Sequence, residues 1–206
     1  LDYLFIDEAG QVALGMLVAM ATSARNIVLL GDQMQLSQPL QGTHPKDSGL
    51  SSLDYLLEGH ATIAPERGIF LAKTWRLHTA VCRFISAAVY DGRLDSISSN
   101  DRRQLVLSSS ADPCLAAAGV RIVSMTHQGC SQWSPEEVTR VKSLYENLLT
   151  QAYIDGDGKR QPIRAENILV VSPYNMQVSK LQQTLPADAR VGTIDKFQGQ
   201  EAEVVI

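Results

Sequence analysis

The sequence predicts an α/β fold built on parallel sheets. Three short apolar runs predict it, each ending abruptly in polar or acidic residues. They are Leu1 to Ile6 before Asp7-Glu8, Asn26 to Leu30 before Gly31-Asp32, and Asn167 to Val171 before Ser172. Runs without period-2 alternation suit strands buried on both faces. Helix-forming stretches separate them throughout, the pattern of parallel βαβ units with right-handed crossovers. In open sheets of this kind ligands bind just past the carboxyl ends of the strands.

The elements follow in order. Val12 to Thr22 is rich in Ala, Leu, Met and Val, which predicts a helix packed on the first sheet. Ser37 to Gly49 holds two prolines and two glycines and reads as a loop. Ser51 to Glu58 predicts a short helix with Leu53, Leu56 and Leu57 on one face, closed by Gly59. Gly59 to Gly68, with Pro65, reads as a linker, so the expected domains are residues 1–65 and 66–206. Ile69 to Thr74 is expected as a strand and Thr79 to Val89 as its helix, with Arg76 at their junction. Asp91 to Ala118 reads as a surface excursion with no assigned chemistry, and Val120 to Met125 as the next strand. Ser134-Pro135-Glu136-Glu137 is a capping-box signature, and its helix is expected to run to about Ala152. The stripe Val138, Val141, Leu144, Tyr145, Leu148 and Leu149 would be its buried side. Asp155 to Lys159 reads as a turn between that helix and a strand. An EF-hand would need Gly at its sixth position and an oxygen ligand at its fifth, where Arg160 and Lys159 stand. After Asn167 to Val171 come a helix carrying Val178, Leu181 and Leu185 and a strand from Arg190 to Ile194.

Composition bounds the function. The 206 residues are 45% hydrophobic and 19% charged, ordinary for a globular chain. No apolar run approaches the roughly 20 residues that span a bilayer, and no leader pattern precedes Leu1, so the expectation is a cytoplasmic protein with no membrane partner. Cys82, Cys114 and Cys130 are widely spaced with no CxxC pair, against both a disulfide framework and a structural zinc site. The net charge of −4 is a poor overall footprint for nucleic acid, although a local groove can bind a single strand within an acidic total. Arg102-Arg103 and Lys159-Arg160 are basic pairs expected in solvated loops.

The residues with chemistry cluster at predicted strand ends. Mg²⁺ takes oxygen ligands and keeps several waters, so Asp7 alone can hold it beside substrate phosphates, leaving Glu8 to deprotonate a water. Alternatively, the pair simply starts the next helix, where acids are favoured. A second strand delivers Asp32 and Gln35 to the same expected sheet edge. Gly199 permits close backbone approach to a phosphate, and Glu201 can bond a ribose hydroxyl. Phe197 is expected in core packing, and Tyr174 could be either packed or exposed.

Five stretches carry a resemblance. DEAGQ (Asp7 to Gln11), GDQMQLSQP (Gly31 to Pro39), TWRLH (Thr74 to His78), SPYNMQ (Ser172 to Gln177) and GTIDKFQGQE (Gly192 to Glu201) resemble, in order, motifs of superfamily 1 helicases. The DEAG form and the FQGQE ending resemble the branch that includes the nonsense-mediated decay helicase. The resemblance implies two RecA-like P-loop NTPase domains with parallel sheets, both incomplete here. Residues 1–65 would be the later part of the first and 66–206 most of the second. It implies ATP in the cleft between them, with Mg²⁺ on Asp7 and Asp32 also at the nucleotide. Glu8 would be the general base, Gln35 the γ-phosphate sensor, and Arg76 the cation for its developing charge. Gly199 and Glu201 would complete the nucleotide site. Ser172, Pro173, Tyr174, Thr193 and Gln198 would face a nucleic acid strand, single or duplex. TWRLH departs from the family's QYRMH or TYRMH at Thr74, Trp75 and Leu77, while Arg76 and His78 match.

No G-x-x-x-x-G-K-[ST] loop occurs in the sequence. The expectation is therefore a piece of a longer monomeric helicase, inactive without the remainder of its parent chain. Two rivals stand beside it: a nucleic-acid- or protein-binding module that kept the fold and lost hydrolysis, and a P-loop ATPase motor without nucleic acid. Retention of Asp7-Glu8 and Arg76 disfavours the first, and the SPYNMQ and GTIDKFQGQE stretches disfavour the second.

Overall fold

The computed structural model describes residues 1–36 and 42–206. The chain forms two compact units, residues 1–72 with 85–94, and residues 73–84 with 95–206. Ser37 to Pro39 of the second motif, and the first five residues of the expected loop, lie outside the described residues.

In the first unit, β1 (Tyr3–Ile6) and β2 (Asn26–Leu29) pair in parallel, from Tyr3 opposite Asn26 to Ile6 opposite Leu29. The crossover between them contains α1 (Leu14–Ala21). Leu4, Ile6, Ala9, Leu17, Met20, Leu29, Leu53 and Leu57 pack together, so the alternate residues of β1 face the helices. Tyr3 and Phe5 on its other face are 59% and 65% exposed. Within the described residues, then, β1 is covered on one face only, where burial on both faces was expected. The second helix, α2 (Ser52–Leu57), starts where the Ser51 hydroxyl accepts from the Asp54 amide at 3.0 Å. Leu53 and Leu57 are buried on it, but Leu56 is 45% exposed and does not share their face.

The expected strand at Ile69 to Thr74 shrinks to β3 (Lys73–Thr74), paired in parallel with β4 (Asp95–Ser96). Ile69 and Leu71 are 86% and 80% exposed; with no ladder partner beside them, strand propensity has nothing to act on. The helix α3 (Thr79–Val89) forms as read.

The second unit holds two sheets. One is parallel, in the order β10-β8-β9, from β8 (Ile168–Val171), β9 (Arg190–Gly192) and β10 (Val204–Val205). Helix α5 (Asn175–Thr184) connects β8 to β9, and the single turn α6 (Ile194–Phe197) follows β9. The other sheet is antiparallel, β5 (Gln104–Val106), β6 (Ala152–Ile154) and β7 (Arg160–Pro162), and corrects the expectation of parallel units throughout. It arises because α4 (Pro135–Leu148) stops short of Ala152, and Asp155 to Lys159 then turns between two strands rather than between helix and strand. Asp155 closes that turn by accepting from the amides of Asp157 and Lys159 at 3.0 and 2.9 Å. Val120 to Met125 forms no strand, and Ile122 is 86% exposed.

The core of this unit joins Val138, Tyr145 and Leu148 of α4 to Ile168 and Val170 of β8, Val178 and Leu181 of α5, and Val191 of β9. Leu149 is 36% exposed and falls outside it. The Ser134 hydroxyl caps α4 by accepting from the Glu137 amide. The reciprocal half of the capping box is replaced: the Ser134 amide donates to Gln177 Oε1 at 2.9 Å, and Gln177 Nε2 donates to Glu137. A buried glutamine of α5 thus links the start of α4 to the parallel sheet's own helix.

Candidate functional site

In the first unit the two strands end level. Ile6 pairs with Leu29, the Leu30 amide donates to Ile6, and the Ala9 amide donates to Leu30, both at 2.8 Å. Asp7-Glu8 and Gly31-Asp32 therefore leave the sheet side by side. Glycine is required on both turns: a Cβ on Gly10 would sit 2.6 Å from the Asp32 carbonyl oxygen, and one on Gly31 2.8 Å from the Ala9 nitrogen. Asp7 and Glu8 are exposed, and Asp7 Oδ1 accepts from the Glu8 amide at 2.9 Å. Glu8 occupies the left-handed region, φ 50° and ψ 40°, which disfavours residues with a Cβ and is found where the surroundings impose it.

Asp32 is the most engaged carboxylate of the pair of turns. It accepts from the Met34 amide at 3.0 Å, from Gln35 Nε2 at 3.1 Å and from the Tyr90 hydroxyl. Its place is that of an anchor for Gln35. Burial, and then the hydrogen bond to this carboxylate, push the Tyr90 phenol well above its usual range. Tyr90 also lies against Phe70, over which the Arg93 guanidinium stands at 4.9 Å. Sequence reading missed Tyr90, since one tyrosine past the end of α3 carries no signal of a partner 58 residues away.

In the second unit Arg76 Nε donates to Glu201, so two residues expected at the nucleotide are brought together as an ion pair. The Arg102-Arg103 pair is exposed as expected, and the Arg103 guanidinium in addition donates to the Arg76 carbonyl at 3.2 Å. Asp101 accepts from the Thr79 amide at 2.9 Å and caps α3 immediately after the Arg76 loop. Hydrogen bonding from Thr79, its hydroxyl foremost and then its amide, holds the Asp101 carboxyl below the usual range.

The remaining residues gather at the carboxyl edge of β8 and β9. Val171 pairs with Gly192, and the Ser172 amide donates to the Gly192 carbonyl at 3.1 Å, so Ser172 and Thr193 emerge side by side. Ser172 is buried and its hydroxyl accepts from the Tyr174 amide. Pro173 and Gln198 are exposed, and Tyr174 is 52% exposed. Phe197 leaves the core: it is half-buried, with the Arg190 and Lys196 cations over its ring at 6.0 and 5.7 Å. Gly199 has φ +76° and open space where a Cβ would be, so conformation rather than crowding selects glycine there.

Among the described residues no three His, Cys, Asp or Glu side chains converge as a metal cage. Asp7 offers a single exposed carboxylate. That donor set suits a hard cation that takes its other ligands from water and phosphate.

Residues 50–206 match the family described as AAA domain. The chain belongs to that family. Its relatives place it in the superfamily 1 helicase branch. The whole chain aligns with the DNA replication ATP-dependent helicase/nuclease JHS1 of Arabidopsis thaliana at 26% identity, covering 16% of that protein. It aligns in full with the DNA-binding protein SMUBP-2 of Rattus norvegicus at 29% identity over 21% of its length. The DNA polymerase alpha-associated DNA helicase A of Schizosaccharomyces pombe is 25% identical, with 31% of its length covered. The chain thus spans about a third or less of the length of these relatives.

Proposed function

We propose that this helicase-family chain carries the hydrolytic carboxylates and a strand-gripping edge of an ATP-driven nucleic-acid translocase. The observation that carries the reading is the abutment of the two glycine turns, which fixes exposed Asp7 and Glu8 beside the Asp32–Gln35 pair. Asp7 would hold a divalent cation that offsets phosphate charge, and Glu8 would take the proton of the attacking water. Gln35, oriented by Asp32, would donate its amide toward the γ-phosphate. Arg76 would supply a cation to the charge that develops there, since a guanidinium stays protonated and presents several donors in a fixed fork. Gly199 and Glu201 would serve the nucleotide from the second unit. Ser172, Pro173, Tyr174, Thr193 and Gln198 would meet a nucleic acid strand, with the exposed Tyr174 ring free to stack on a base.

In the full-length protein, Glu8→Gln is expected to keep ATP affinity and abolish steady-state ATPase activity, because the amide keeps the shape and loses the base. Near-normal turnover would remove Glu8 from the mechanism. The sequence holds no phosphate-binding GK[ST] loop, and positioning supplies much of the catalysis in phosphoryl transfer. The isolated 206-residue chain is therefore expected to release no phosphate above the Glu8→Gln background. Strand-stimulated hydrolysis by it would show that the site is complete within these residues.

A further inference from the structure

Residues 95 to 103, to which the sequence assigned no chemistry, close over the backbone of the Arg76 loop. The Asn100 side chain is 2% exposed, and its amide nitrogen donates to the carbonyls of Thr74 at 3.1 Å and Leu77 at 3.0 Å. One NH₂ group therefore ties the two ends of a four-residue segment with Arg76 inside it. The same nitrogen lies 3.1 Å from Ser96 Oγ, and that hydroxyl donates to the Leu77 carbonyl at 2.5 Å. The Ile97 amide also donates to Thr74, at 3.2 Å. Thr74, Arg76 and Leu77 thus all have their carbonyls held by this one stretch, while the Arg76 side chain remains 63% exposed.

A buried amide with its donors filled by backbone carbonyls fixes chain geometry far more tightly than a solvated loop could, since leaving those carbonyls unmet carries a desolvation penalty. A ribbon held at both ends and in the middle, with its one long cationic side chain in solvent, is a mount for that side chain. We propose that Asn100, with Ser96, is a positioning residue that fixes the backbone from which Arg76 reaches the γ-phosphate. The proposal rests on the assignment of Arg76 given above. Asn100 touches no substrate; it acts through Arg76.

The test is a double-mutant cycle in the full-length protein, with Asn100→Ala, Arg76→Ala and their combination, read as kcat and KM for ATP and Kd for ADP. Thermal unfolding confirms that each variant is folded. Asn100→Ala is expected to lower kcat by about ten- to a hundredfold, the scale of a displacement near 1 Å in a catalytic group. ADP affinity should stay within about twofold, and no further loss should appear in the Arg76→Ala background, where there is nothing left to position. A folded Asn100→Ala with normal kcat overturns the proposal while leaving Arg76 in place. A full additional loss in the Arg76→Ala background overturns it too, because Asn100 would then act elsewhere. Normal turnover by Arg76→Ala would instead overturn the assignment of Arg76, and the proposal with it. Should Asn100→Ala fail to fold, Ser96→Ala removes a smaller group from the same clamp and is judged by the same outcomes.

Discussion

Arg76 donates its Nε–H to the carboxylate of Glu201, 125 residues further along the chain, and both side chains are more than half exposed. An exposed pair of this kind contributes little to folding, about 0 to 1 kcal/mol. Its interest lies in occupancy, because a guanidinium engaged by a carboxylate has fewer donors to offer a phosphate.

Glu201→Gln is therefore expected to change unfolding free energy by less than about 1 kcal/mol in urea titration. In the full-length protein it should change kcat/KM for ATP, since the neutral amide holds Arg76 less strongly and offers a ribose a different partner. A loss of stability well beyond that figure, with unaltered kinetics, would make the pair a structural one.

Glu8 allows stability and activity to be separated. Its left-handed backbone costs a residue with a Cβ about 1 to 2 kcal/mol, part of which glycine gives back through its freer unfolded chain. Glu8→Gly is expected to stabilise the protein by roughly 1 kcal/mol while removing ATPase activity. Paired melting curves and phosphate-release assays check both halves. A destabilised variant would show that the Glu8 side chain contributes contacts that outweigh the strain.

Asp112 sets an acid limit on the second unit. Arg140 reaches it with two nitrogens at 2.7 and 2.9 Å, and Asp112 also accepts from the Cys114 amide at 3.0 Å. These bonds, the one from Arg140 foremost, hold its carboxyl well below the usual range. A folded value below the unfolded one means stability that is fully present above about pH 4 and is lost as pH falls further. Asp112→Asn is expected to cost about 1 to 2 kcal/mol at pH 7 and to flatten the pH dependence between about pH 4 and 2. Parallel acid titrations by circular dichroism would reveal it; equal slopes would assign acid unfolding to other carboxylates.

What could be read in advance was what is local. The strands at Tyr3, Asn26 and Ile168, and the helices at Leu14, Thr79, Pro135 and Asn175, each carry their own apolar pattern or cap, and they formed. Val120 to Met125 has a strand's composition and no partner, and the β5-β6-β7 sheet depends on pairing a three-residue segment with another some fifty positions away. Neither fact is written in a window of ten residues. The candidate site divides in the same way. Asp7, Glu8 and Arg76 stood out because DEAGQ and TWRLH resemble helicase motifs. Tyr90 on Asp32 and Asn100 under the Arg76 loop bring in residues that look ordinary in the sequence, and the pairing of Glu201 with Arg76 joins two candidates that no local window connects.

The two glycines where β1 and β2 end set a fixed length inside the molecule. At both, the obstacle to any side chain is a backbone atom, which no rotamer change can move aside. The turn bearing Asp7 and Glu8 and the turn bearing Asp32 and Gln35 therefore leave no room between them for a Cβ at either glycine. Under the proposed function, Gln35 would exchange Asp32 for the phosphate by side-chain reorientation alone. For anyone redesigning the site, residues 10 and 31 are positions to leave alone, and 35 is the one to vary.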